Sequence, residues 1–139
     1  MKRQLARSRD SFEKDDEVWA IFDRDEHAHF AEPIRRCEEV GVHVARSNPC
    51  FEVWLIFHET DFHRPDDRHQ VQAYLRQLRP EYDPAAGKLV DFDDLVNRVE
   101  TAEQRAQQGL ARRDEEGSPF GRPSTTVGRL AQSIRIYQG

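Results

Sequence analysis

The chain has 139 residues, 34% of them Asp, Glu, Lys or Arg, with a net charge of −5 and a mean hydropathy of −0.88. That length suits one domain with a modest core, and the acidic balance excludes a broadly polycationic surface, leaving local pairs such as Arg35-Arg36 and Arg112-Arg113 to contact phosphate. No apolar run approaches the roughly 18 residues of a membrane helix, the start does not resemble a signal peptide, and Cys37 and Cys50 lack a CxxC or zinc-like spacing. The expectation is a cytoplasmic protein with reduced thiols and no membrane partner.

Met1 to Asp16 is a charged lead-in whose large apolar residues are Leu5 and Phe12. Val18 to Phe22 then reads as a strand buried on both faces, because β-branched and aromatic residues follow one another without polar alternation. Acids appear where that strand should end. Alternate strand residues point the same way, so Asp23 and Asp25 share a side, at the strand end where open parallel sheets bind ligands. Ala28 to Val40 carries Phe30, Ile34 and Cys37 at helical spacing, Gly41 supplies a left-handed stop, and Val42 to Ala45 forms a second short strand. Strand, helix, Gly and strand make a βαβ unit with parallel strands.

Ser47-Asn48-Pro49 predicts a helix start, with Asn48 as cap and Pro49 at the first helical position. Cys50 to Glu59 is apolar enough to suit a strand or a helix, and the cap favours the helix, which places Glu52 one turn beyond Asn48 near the positive end. Asp66 to Leu78 is a helix on the spacing of Val71, Tyr74, Leu75 and Leu78, and Asp91 to Ala106 another on Phe92, Leu95, Val96 and Val99. Gln107 to Pro123 reads as a mobile loop, and Ser124 to Ile136 as a docking helix with a Ser/Thr cap and an apolar face of Val127, Leu130, Ala131 and Ile134.

Asp23-x-Asp25 is a natural platform for Mg²⁺, which prefers oxygen ligands and is often held by one or two carboxylates plus substrate phosphate. Its competing reading is a pair of solvated turn acids, and Glu26 reads as a helix N-terminal acid. Glu52 suits a general base or a further ligand, against a plain helix-dipole acid. His27, His29, His58, His63 and His69 show no metal-ligand spacing. Cys50 reads as a small apolar plug rather than a nucleophile.

Three stretches together resemble the RloB family of Toprim-like proteins: Asp16-Glu17-Val18-Trp19-Ala20-Ile21-Phe22-Asp23-Arg24-Asp25-Glu26-His27, Ser47-Asn48-Pro49-Cys50-Phe51-Glu52-Val53-Trp54-Leu55 and Pro123-Ser124-Thr125-Thr126-Val127-Gly128-Arg129-Leu130. The resemblance implies an α/β fold of Toprim type with a short, mostly parallel sheet flanked by several helices. It further implies magnesium-dependent nuclease activity on DNA or RNA, with manganese able to replace magnesium, a role in bacterial anti-phage defence by abortive infection, and an ATPase partner protein. Asp23 and Asp25 match the Toprim Asp-x-Asp pair, and Asn48 and Glu52 match polar positions of the middle motif. A complete Toprim site also uses a glutamate at the end of an earlier strand, so the expectation is an incomplete Toprim-like fold, with Glu13 and Glu17 outside any strand-end motif. Arg122 and Gly128 stand where asparagine and histidine are expected. The same incompleteness supports a noncatalytic interaction subunit as the alternative, and an exposed sheet edge able to form a homo-oligomer.

Overall fold

The sheet is built around one parallel pair. In the computed structural model, which describes residues 17–24, 31–83 and 92–138, β1 (Trp19–Asp23) pairs in parallel with β2 (His43–Asn48), in register from Trp19 opposite His43 to Asp23 opposite Ser47. Helix α1 (Ala31–Glu39) connects them, and Gly41, at φ +81°, takes the left-handed turn that releases the chain into β2. A third strand, β3 (Ser124–Thr125), joins the far side of β2 antiparallel, so the sheet is mixed with order β1-β2-β3. The helices α2 (Glu52–Phe57), α3 (Arg68–Leu78), α4 (Phe92–Val96), α5 (Val99–Glu115) and α6 (Val127–Gln138) complete an α/β fold.

Helix α2 is the centre of the core. Every one of its residues is buried, with Val53, Ile56 and Phe57 fully so, and Val71 and Leu75 of α3, Ala102 and Ala106 of α5 and Ala45 of β2 belong to the same cluster. Each large side chain of this kind stabilises the fold by about 1.5–3 kcal/mol through the apolar surface it removes from water. The α3 start is fixed by a capping box in which Asp67 accepts from the Gln70 backbone N–H and Gln70 reaches back to the Asp67 N–H, both at 2.9 Å. No helix among the described residues is long and apolar enough to cross a membrane.

Several elements differ from the sequence expectation. Strand β1 is not buried on both faces: Ala20 is 3% exposed, but Ile21 is 61% exposed. Asn48 does not cap a helix, because it is the last residue of β2, paired with Ser124; α2 begins at Glu52, after Phe51, which provides no side-chain cap. Residues predicted as one helix from Asp91 to Ala106 form α4 and α5, separated at residues 97–98, with Asp91 itself outside the described residues. The loop predicted from Gln107 is helical as far as Glu115. Gly109 of α5 is buried against the core, where a Cβ would stand in ordinary contact with the Phe57 ring at 3.5 Å, and Arg105 donates to the Phe57 carbonyl at 2.8 Å. Ser124 and Thr125 form a strand rather than the first turn of a helix, although Thr125 Oγ1 still accepts from the Val127 N–H at 3.2 Å. In α6, Val127 is buried and Leu130 and Ala131 pack on the core, but Ile134 is exposed.

Candidate site at the carboxyl ends of the parallel strands

Parallel pairing brings Asp23 and the Ser47-Asn48 dipeptide to one end of the sheet, because Asp23 and Ser47 are partners in register. Asn48 is held there by its Nδ2, which donates to the Phe120 carbonyl at 2.6 Å. Its Oδ1 is buried and has no hydrogen-bond partner among the described residues. A buried carbonyl oxygen without a donor costs about 1–3 kcal/mol, which makes this atom a notable oxygen in the fold.

From Asn48 the chain passes through Pro49 and the buried Cys50 into α2, whose first residue is Glu52. The Glu52 side chain is not the exposed helix-dipole acid that its position suggests. Glu52 is 8% exposed, and its Oε2 accepts from the Tyr82 hydroxyl at 2.6 Å. The Cys50 thiol also hydrogen-bonds to Glu52, so two donors offset the cost of burying the charge. Burial pushes the Cys50 thiol far above the ordinary range, and the negative charges of Glu52 and Asp23 add to the shift. Cys50 therefore keeps its proton and is not a nucleophile, in line with its expected role as a plug. The Tyr82 phenol is likewise pushed up, first by burial and then by its bond to Glu52.

Asp23 thus shares one electrostatic neighbourhood with Cys50 and Glu52, whereas Asp25, Glu26, His27 and His29 lie outside the described residues. Among the described residues, no three His, Cys, Asp or Glu side chains gather into a metal-holding group. The donors that do lie at the strand ends are the Asp23 carboxylate and the unpartnered Asn48 Oδ1, which are hard oxygens, and the one sulfur nearby stays protonated. This chemistry fits a magnesium-like cation and not a thiolate-bound zinc. His58 instead serves the core, with Nδ1 2.9 Å from the Trp54 carbonyl.

Sequence reasoning missed Tyr82, which reaches Glu52 from 30 residues away and carries no local signal. It also missed the hydroxyl ladder that joins β2 to β3. Ser47 Oγ and Thr125 Oγ1 lie 2.8 Å apart, Arg46 Nη1 donates to Ser124 Oγ at 2.9 Å, and the Arg46 N–H donates to Thr126 Oγ1 at 2.9 Å. Arg113 braces the approach to β3 by donating to the carbonyls of Arg122 and Pro123 at 3.2 and 3.3 Å. At Gly128 a Cβ would meet the Trp54 ring at 3.3 Å, so the histidine expected at that place has no room unless Trp54 moves.

Residues 1–134 match the family described as RloB-like protein, a span that contains all of these residues, and the chain belongs to that family. No curated protein and no solved structure matches it.

Proposed function

We propose that the chain is the metal-dependent nuclease module of a bacterial anti-phage defence system, hydrolysing phosphodiester bonds in DNA or RNA and working with an ATPase partner. The observation that carries this reading is the meeting of Asp23, Ser47-Asn48 and Glu52 at the carboxyl ends of a parallel strand pair, in a chain of the RloB-like family. Asp23 and Asp25 would hold Mg²⁺, or Mn²⁺ in its place, and the unpartnered Asn48 Oδ1 would offer a neutral oxygen. The ion, when bound, supplies positive charge that favours deprotonated water and offsets charge on the leaving oxygen. Glu52 and Asn48 place water or substrate, and nearby arginines bind the phosphate. The test is cleavage of labelled DNA and RNA by the purified protein in magnesium and in chelator. Cutting in magnesium that chelator abolishes is the expected result, and cutting that ignores the chelator would overturn it.

One observation favours a second reading, a noncatalytic subunit that engages the ATPase. The Glu52 carboxylate already has two donors, Tyr82 and Cys50, as a purely structural acceptor would. On that reading no nucleic acid is cut in magnesium, with or without the partner.

A further inference from the structure

A groove of about 610 Å³ runs along the sheet from the amino ends of β1 and β2 to the first turn of α6. Two kinds of chemistry line it. At one end, Trp19 and His43, which are partners in register, stack with ring centroids 5.0 Å apart and planes 25° apart, and His43 is exposed. At the other end lie Arg46, Phe120 and Arg129. The Arg46 guanidinium sits 4.6 Å over the Phe120 ring and is fixed by its bonds to Ser124 Oγ at 2.9 Å and the Pro119 carbonyl at 3.1 Å. Burial, and then the positive charge of Arg129, lowers its pKa to about 10. Two guanidiniums that feel each other across a groove are relieved by an anion placed between them. Arg129 is exposed and makes no ion pair among the described residues. Glu38 is the carboxylate on the groove wall, while Glu17, beside Trp19, is occupied by the Trp19 Nε1 at 3.1 Å and the Ser133 hydroxyl at 2.5 Å.

The ring pair and the fixed guanidinium both line this groove, which suits a ligand with a flat ring at one end and a negative charge at the other. We propose that this groove binds a nucleotide unit of single-stranded nucleic acid, its base against the Trp19–His43 pair and its phosphate between Arg46 and Arg129. The choice of nucleic acid rests on the nuclease reading; the ring-and-anion chemistry does not. From His43 to Arg46 the groove follows β2 toward its carboxyl end, two residues short of Asn48. A strand lying in it is directed at the carboxyl ends of the sheet.

Binding is measured in chelator, so that it does not depend on cleavage. Fluorescein-labelled oligothymidylate and oligouridylate are titrated by anisotropy against the protein and its His43→Ala and Arg129→Glu variants, both at exposed positions that leave the core intact. Thymidine monophosphate serves as competitor, to separate a free nucleotide from one within a strand. The expected result is single-strand binding that weakens with salt and falls about tenfold or more in each variant. Competition by the monophosphate at the oligomer's own affinity would assign the groove to a free nucleotide and overturn the strand assignment. Unchanged binding in both variants, no binding of either oligomer, or equal affinity for a duplex would also overturn the proposal. Cleavage in magnesium with no groove binding removes this inference alone, whereas groove binding with no cleavage removes the nuclease reading alone.

Discussion

Tyr82 and Glu52 form the most consequential single contact at the strand ends, a hydroxyl donating to a buried carboxylate at 2.6 Å. Tyr82→Phe keeps the ring and deletes the donor, so the buried Glu52 side chain is left with one hydrogen bond fewer. The expected loss is about 1–3 kcal/mol of unfolding free energy, read as a lower urea midpoint with unchanged slope. His58 offers a second test. Burial lowers its pKa below the ordinary 6.5, against the opposing effect of its bond to the Trp54 carbonyl. As pH falls through about 6.5, the unfolded chain takes up a proton that the folded chain refuses, so stability drops with acidification over that range. In His58→Gln this part of the slope should flatten, which urea titrations at a series of pH values will read. Asp23 was legible in the sequence because a strand announces its own end. Asn48 was legible as a polar position but misread as a cap, because its partner Ser124 lies 76 positions further along the chain, a pairing that no local pattern records.

At the scale of elements, Arg79 joins three of them. From the end of α3 it donates to Glu59 just beyond α2 at 2.6 Å and to Asp94 of α4 at 3.1 Å, while Arg98, at the head of α5, holds the other Glu59 oxygen at 2.6 Å. Arg79 and Glu59 are both largely shielded from water, so the bonds are worth more than those of a surface pair. Arg79→Ala should destabilise the protein by about 2 kcal/mol, and Arg79→Lys should recover only part, because one ammonium cannot reproduce the fork; chemical denaturation distinguishes the two. Periodicity found α3 to within two residues, since its buried face recurs at strict helical spacing and Asp67 caps it. The same logic stopped α5 too early. Beyond Ala106 the helix is charged, and the positions it buries there, Gly109 and Arg113, keep the helical spacing but are not large apolar residues, so they leave no apolar periodicity to read. Strand β3 was missed for a similar reason: two residues have no pattern, and hydroxyl bonds to β2 hold them.

Across the whole molecule, the middle and final stretches that resemble the RloB family prove to be one structural unit. Ser47 and Asn48 pair with Thr125 and Ser124, and Gly128 lies against Trp54, so the two motifs are joined through the sheet and through the core. The first stretch completes the arrangement by parallel pairing, which delivers Asp23 to Ser47. Sequence order and spacing were therefore enough to find the family and the α/β class, while the partners that hold the site, Tyr82, Phe120 and the β3 hydroxyls, required the fold. On the proposed function, Asp23 at this strand end holds the ion on which hydrolysis depends. The most direct test is the initial rate of phosphodiester cleavage in magnesium by the protein and by Asp23→Asn, with both shown to be folded by circular dichroism. A fall of about a hundredfold or more is expected in the variant; equal rates would show that hydrolysis does not depend on Asp23.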